Sequence, residues 1–526
     1  MNRLLLPVIA LLVGAPVAVP VAARVVSAEP HLKVDPLLVL QAKAVWDIVA
    51  GEDNPVWPGW DATDTPILLY LPGEQDLLIN HPNPPEGFTE YTGHHPWPGA
   101  TLHVRDGETQ ISLDGQNTTT DVGGVRTLVV ADTLSNLRNQ VKGNAGEVTY
   151  RTLRTDPMEQ MSLIVHEAFH VHQDRNAPEK LASELSIRQY PTLSVANNVG
   201  FAREALAMAE GMRATTKEDV RAAALKVLMI RQDRRAELEP AIIAYEDGNE
   251  FAEGLAKFTE LKLFESLEGR EPAEAMWLAQ GFAGYDETEA LRERRINQMV
   301  GFMSGAMVVN NDPYGASPVR FRLYFSGMGL AALLDEFSDT WHTDIFEEGA
   351  TLTSLLRDTV DPSEAEMIAT REALASDPKL AELVEAKTKL QIDGEADLEK
   401  LRASITANGA VTIDFSALGD TPAGLSFTPF GVRRLSADRT IYTLVPISAT
   451  FGELGSLTQT TTRPTLEDRA AQTLTFPIDP GEFGALESGT FADLELELPG
   501  ATLTAARAEV RRDGPFLFVR LLPSEN

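Results

Sequence analysis

The sequence predicts an α+β protein of several domains, with a β-rich N-terminal region, a mainly α-helical middle and an all-β, sandwich-like C-terminal domain. Three observations carry this. A chain of 526 residues can bury two or three separate cores. Apolar residues alternate with a period of two near both ends of the chain and recur at helical spacing between them. Turn residues cluster in the two alternating regions and are sparse in the middle.

Residues 1–28 read as an export signal. Arg3 supplies the short charged start, "LLLPVIALLVGAPVAVPVAA" the apolar stretch, and "VSA" at 26–28 the small residues before a cleavage point. Pro7, Pro16 and Pro20 disfavour a straight membrane-spanning helix, so cleavage is expected, with no stable membrane insertion afterwards. Residues 29–154 form the β-rich part. "TPILLYLP" (65–72) is a buried strand, "TLHVRDGETQISLDG" (101–115) reads as a hairpin about Asp106-Gly107, and "GVRTLVVADTL" (124–134) as another buried strand. "GEDNPVWPGWDATD" (51–64) is loop, its Asp53, Asn54, Asp61 and Asp64 better explained by turn chemistry than by a calcium ion.

Residues 155–395 carry the helical period. The patterns at 217–246, 286–307 and 362–391 are long and amphipathic, and the composition shifts near "IDGEADLEK" (392–400). Residues 403–526 return to alternation. "GAVTIDFSAL", "RTIYTLVPIS" and "FADLELELPG" are strands, and "AEVRRDGPFLFVRLL" is a hairpin turning at Asp513-Gly514. A small sandwich or barrel fits this part.

Composition excludes several classes. There are no cysteines, which removes disulfides, thiolate metal sites and lipidation at a cysteine, so any metal must sit on His, Asp or Glu. A net charge of −32 argues against nucleic acid, whose phosphates need clustered Lys and Arg. An exported chain free of disulfides suggests a secreted or periplasmic bacterial product.

The chemistry-bearing stretch is "IVHEAFHVHQ" (164–173). Asp156 is a good N-cap, Pro157 suits the first helical position, and Glu159 stands where a capping box needs it. On the helix that follows, His166 and His170 are four residues apart and project from one face, about a turn from each other. Both imidazoles can reach a single zinc ion, and Glu167 leans over it from one side as a general base for water. Met158, Met161, Ile164, Val165, Ala168 and Phe169 can seat the helix in a core. His172 points elsewhere and is taken as a neutral structural residue.

"HEAFH" resembles the signature of zincin metalloproteases. The histidine-rich extension of the metzincin branch is absent, since "VHQDRNAPEK" follows His170. The resemblance to gluzincins implies a glutamate from a later helix as third ligand. Glu253 in "EFAEGLAKFTE" is similar to the glutamate of that family's Glu-Gly-Phe-Ala pattern, and Gly254 and Ala256 would let its helix pack closely. Glu210 in "AMAEGMRA" and Glu204 in "FAREALAM" are rivals, with Glu253 favoured over both. The interval from His170 to Glu253 exceeds that of the family, which requires inserted helices. By the same resemblance, a downstream Tyr or His steadies the oxyanion; Tyr324, in a stretch that also holds Tyr314, Arg320 and Arg322, is the choice.

Other signals are weaker. Gly327, Gly329 and Ala332 match a dinucleotide-binding fingerprint, but no βαβ series surrounds them and close helix packing explains them better. His94 and His95 lie in a proline-bracketed loop. The expected function is a secreted zinc metallopeptidase acting on peptides or proteins, with Zn²⁺ on His166, His170 and Glu253, and with Glu167 and Tyr324 as catalytic residues. The alternative is an inactive binding or scaffold protein on the same zincin-like fold.

Overall fold

The computed structural model describes residues 31–524 apart from 108–116, 133–156, 279–281, 309–312, 420, 422, 480 and 482–486. The export segment 1–28 and the expected N-cap Asp156 therefore lie outside the described residues.

The first described element is a helix in a region expected to be strand-like. α1 (Pro36–Val49) starts where the Asp35 carboxylate accepts from the Leu37 amide and Pro36 fills the first turn. It buries Val39, Val45, Trp46 and Val49, and packs on the later histidine helix.

Six strands follow: β1 (Ile67–Leu71), β2 (Gln75–Ile79), β3 (Thr89–Glu90), β4 (Leu102–Asp106), β5 (Thr118–Val122) and β6 (Val125–Ala131). Their order is β3-β4-β2-β1-β6-β5, with only β1 and β6 parallel. β1 and β2 are buried on both faces, which is why β1 reads as an unbroken apolar run, while β2 buries Gln75 and Asp76 beside its apolar residues. The first arm of the hairpin expected at 101–115 is β4, which pairs with β2 and β3; residues 108–116, the second arm, lie outside the described residues. In the loop before β1, the Asn54 amide bonds the carbonyls of Val49 and Trp60 and accepts from Val56, while Asp61 accepts from Gly51 and Thr63. These are turn contacts, as the composition suggested.

The middle is helical: α2 (Pro157–Asn176), α3 (Val195–Met212), α4 (Lys217–Arg235), α5 (Pro240–Asn249), a π-helical turn at Glu250–Gly254, α6 (Leu255–Leu267), α7 (Thr288–Ser304), α8 (Ala316–Asp335), α9 (Trp341–Asp344), α10 (Leu352–Val360), α11 (Glu364–Ala375) and α12 (Lys379–Ile405). The pattern at 217–246 divides at Pro240, whose ring cannot continue α4 but opens α5. α12 runs straight through 392–400, where the composition shifts. The charges there are a solvated helix face, paired Lys389–Asp393, Lys400–Asp397 and Arg402–Glu399 at helical spacing. Among the described residues no helix is long and apolar enough to cross a membrane.

The C-terminal part holds β7 (Ala410–Asp414), β8 (Gly424–Ser426), β9 (Val432–Arg434), β10 (Arg439–Tyr442), β11 (Ser448–Thr450), β12 (Gly455–Gln459), β13 (Thr465–Asp468), β14 (Thr473–Pro477), β15 (Gly489–Leu498), β16 (Ala501–Asp513) and β17 (Phe516–Leu521). All belong to one hydrogen-bonded sheet. β16 explains the continuity: β15 lines one of its edges, while β12 takes Ala501–Ala505 and β17 takes Ala508–Asp513 on the other. The expected turn is present, with Asp513 opposite Phe516 and Gly514 at φ 56°. β17 then pairs in parallel with β7. Arg188, before α3, meets Glu467 of β13 at 3.3 Å, tying the sheet to the helices.

Candidate metal centre

α2 is seated by Met161, Ile164, Val165, Ala168 and Phe169, all buried. Phe169 packs at 4.6 Å from Trp57 and 5.3 Å from Trp60. The Glu159 carboxylate meets Arg295 at 2.5 Å, and the capping box expected with Asp156 lies outside the described residues. With that face anchored, His166 and His170 share the opposite one, their ring centroids 4.9 Å apart.

The second half of the site comes from the π-helical turn. Glu250–Gly254 interrupts what is otherwise one helix from α5 into α6. The turn meets α8 backbone to backbone: a Cβ on Gly254 would stand 2.5 Å from the Gly327 Cα, and one on Gly327 would stand 2.6 Å from the Gly254 Cα. The fingerprint-like glycine is thus a contact for helix packing. Gln173, three residues after His170, donates through Nε2 to the carbonyls of Phe251 (2.5 Å) and Ala252 (3.0 Å). That pair of bonds clamps the π turn to α2, and π turns recur where a helix must present a functional group out of register.

Glu253 lies on this turn. Its Oε2 is 3.3 Å from His166 Nε2 and 3.4 Å from His170 Nε2. The other ring nitrogens have partners of their own. His166 Nδ1 is 2.9 Å from Glu260 Oε1, and His170 Nδ1 is 2.8 Å from Gln173 Oε1. Because Gln173 spends its amide hydrogens on two carbonyls, its oxygen is the atom that faces His170, and Nδ1 must donate. Glu260, an acceptor, imposes the same tautomer on His166. Both Nε2 atoms then face one place, and each would offer its lone pair there once a cation displaces the proton. Ligands bound at about 2.0–2.1 Å in a tetrahedron stand about 3.4 Å apart, so the spacing suits a small divalent ion. Among the described residues, His166, His170 and Glu253 are the one group of His, Asp or Glu whose ligand atoms lie within 4.8 Å of one another.

The electrostatics favour positive charge here. Burial lowers the His166 pKa, but Glu253 and Glu260 outweigh it and lift it to about 10. Burial pushes Glu260 up, yet Lys257, Arg295 and His166 hold it well below the usual carboxylate range. Glu253 is likewise held low against burial by the two histidines and Arg320. Arg320 Nη2 reaches Glu253 Oε1 at 3.0 Å while Nη1 holds Glu184 and Asn249, so the carboxylate is fixed with its other oxygen toward the imidazoles. Glu167 is half-buried, makes no hydrogen bond among the described residues, and burial raises its pKa. Tyr324 lies 6.3 Å from the His166 ring and takes a hydrogen bond from Arg320 at 3.3 Å; burial and Glu253 raise its pKa well above the ordinary value, so it stays a donor.

The rival glutamates are elsewhere. Glu204 is buried between Arg231 and Arg234, each at 2.7 Å, and Glu210 is exposed and paired with Lys226 at 2.7 Å. His172 is packed among Trp60, Phe169 and Phe346, and burial lowers its pKa to about 4, in keeping with a neutral structural role. His95 Nδ1 accepts from the Trp97 amide within its loop. Sequence reasoning missed Gln173 and Glu260. Both had a signal: Gln173 is one helical turn from His170, and Glu260 is two turns from Glu253 on the same side. β5, an edge strand, lies beside α2 and is held there through Arg126 and Thr119 to Asp174. No family model matches the chain, and neither curated proteins nor solved structures give a match.

Proposed function

We propose that this protein is a secreted zinc-dependent metallopeptidase of zincin-like architecture. The observation that carries the reading is the convergence of two imidazole Nε2 atoms on one carboxylate oxygen, with both Nδ1 atoms held by acceptors. Two neutral imidazoles and a carboxylate are a donor set that zinc takes in hydrolytic sites, and the spacing fits it. A zinc ion there would supply Lewis acidity, acidifying water and polarising a carbonyl.

The chain's own residues account for the rest. Glu167, between the two histidines and free of hydrogen bonds among the described residues, takes a proton from the attacking water and passes it to the leaving amine. Its raised pKa suits both halves of that transfer. Tyr324, kept protonated, donates to the oxyanion of the tetrahedral intermediate. Arg320 orients Glu253, and Gln173 and Glu260 hold the imidazoles in one tautomer. The edge strand β5 offers main-chain groups to an extended peptide. Export rests on the pattern of residues 1–28, which would be removed.

The test is a casein or peptide-library digest by the full chain, with and without chelator, beside Glu167→Gln. The reading requires hydrolysis that chelator stops and zinc restores, and none from the variant. Zinc retained without hydrolysis of any peptide would instead favour the binding-protein alternative.

A further inference from the structure

Phe430 of the C-terminal part reaches toward the site. Phe430 sits on a short 3₁₀ turn, Pro429–Gly431, that leads into β9. Gly431 packs so tightly on Thr443 that a Cβ there would stand 2.0 Å from the Thr443 carbonyl oxygen, and the Thr443 amide donates back to Gly431 at 2.9 Å. The turn is therefore held rigidly. From it, the Phe430 ring lies 5.8 Å from Phe321 and 5.3 Å from the Arg320 guanidinium.

Those contacts continue a row. Phe321 is 5.5 Å from Tyr324 and 5.3 Å from Phe302 of α7, and Tyr324 is 6.3 Å from His166. All four aromatic residues, Phe302, Phe321, Tyr324 and Phe430, are half-buried. Three separate elements thus contribute one apolar wall that begins at the candidate metal centre. The guanidinium beside the row, Arg320, is engaged by Glu184, Asn249 and Glu253.

From this we infer that Phe430, Phe321 and Phe302 form the pocket for an apolar side chain of the peptide substrate, making the C-terminal sheet a determinant of specificity. This rests on the peptidase reading above. An extended peptide advances about 3.3 Å per residue, so a wall two to three ring contacts from His166 meets a side chain within about five positions of the scissile bond. Aromatic side chains suit it best, because offset and edge-on ring contacts add to area burial.

The experiment uses the full chain with zinc and a set of alanine-based peptides, each carrying one Phe within about five positions of a central bond. Cleavage by the wild type is measured beside calorimetric binding of the same peptides to Glu167→Gln. At one position Phe should be preferred to Ala by about tenfold or more. Phe430→Ala and Phe321→Ala should each cut that ratio to about twofold, and Phe491→Ala, on distant β15, should leave it unchanged. Zinc content and thermal melting verify that each variant is folded. Cleavage with equal ratios at every position, or ratios untouched by both variants, overturns the pocket and leaves the peptidase reading standing. Absence of cleavage, with Phe430-dependent binding intact in Glu167→Gln, supports the pocket and sinks the peptidase reading. Neither cleavage nor binding overturns both.

Discussion

Glu204 and Glu253 are both buried or nearly so, both on helices rich in small residues, and both readable as a third metal ligand from local sequence alone. Their surroundings separate them. Each oxygen of Glu204 takes a guanidinium hydrogen bond at 2.7 Å, from Arg231 and Arg234, and those arginines run on to Glu250 and Glu246. In that network every acid is answered by a cation. Glu253 gives one oxygen to Arg320 and turns the other toward two imidazole Nε2 atoms whose Nδ1 sides are already held by Glu260 and Gln173. A closed ion network and a centre that draws in a cation can thus occupy neighbouring turns of the same helical run. What faces the carboxylate decides between them, and no window of sequence contains that information.

The largest effect should come from the proton carrier. Glu167→Gln should lower hydrolysis by about 10³-fold while leaving zinc bound, measured by peptide turnover and metal analysis on the same preparation. Retained turnover would remove Glu167 from the mechanism. Next comes the network. Glu204→Ala takes one carboxylate from two buried guanidiniums and should cost about 3 kcal/mol in urea unfolding, with zinc still bound by the folded fraction. Loss of zinc without loss of stability would exchange the roles given to the two glutamates.

Acid should find the network as well. Burial alone would raise the Glu246 pKa, but Arg234 and Arg235 depress it to about 2, from an ordinary 4.5. A depressed folded-state pKa stabilises the fold above the unfolded value and loses that contribution as pH falls through the folded one. Against Glu246→Gln, the wild type should therefore hold an advantage of roughly 3 kcal/mol above about pH 4.5 that fades toward pH 2. Unfolding curves at a series of pH values measure it; parallel curves would mean that Glu246 does not titrate in this way. The smallest effect belongs to the imidazole partners. Gln173→Ala frees the His170 tautomer and loosens the π turn, and zinc affinity should fall about 10–100-fold in competition with a chelator. An unchanged affinity would show that the clamp is dispensable.

Much of the site was legible because its first half is local. Spacing alone puts His166 and His170 on one face, and Pro157 marks the helix start. Glu253 was reachable only by resemblance, and its presentation from a π turn carries no sequence signature. Gln173 and Glu260 were visible as helical neighbours but needed the facing helix to acquire a role. In the fold, the strands of the C-terminal part and the Asp513-Gly514 turn follow from alternation and turn chemistry, which are local. The single connected sheet does not, because it depends on β16 sharing one edge between β12 and β17, far apart in sequence. α1 went unread although Asp35-Pro36 is a helix-start signal, since its apolar, valine-rich body also suits a strand. α12 crosses a composition shift because charged residues at i,i+3 and i,i+4 favour a helix as well as they mark a linker.

The most direct measurement is the metal content of purified, dialysed protein, wild type beside Glu253→Ala, Glu204→Ala and Glu210→Ala. One zinc per chain in the wild type, lost in Glu253→Ala alone, is the result predicted. A wild type that holds no zinc after exposure to it, or a Glu253→Ala protein that keeps a full equivalent, would contradict the assignment of His166, His170 and Glu253 as the metal centre.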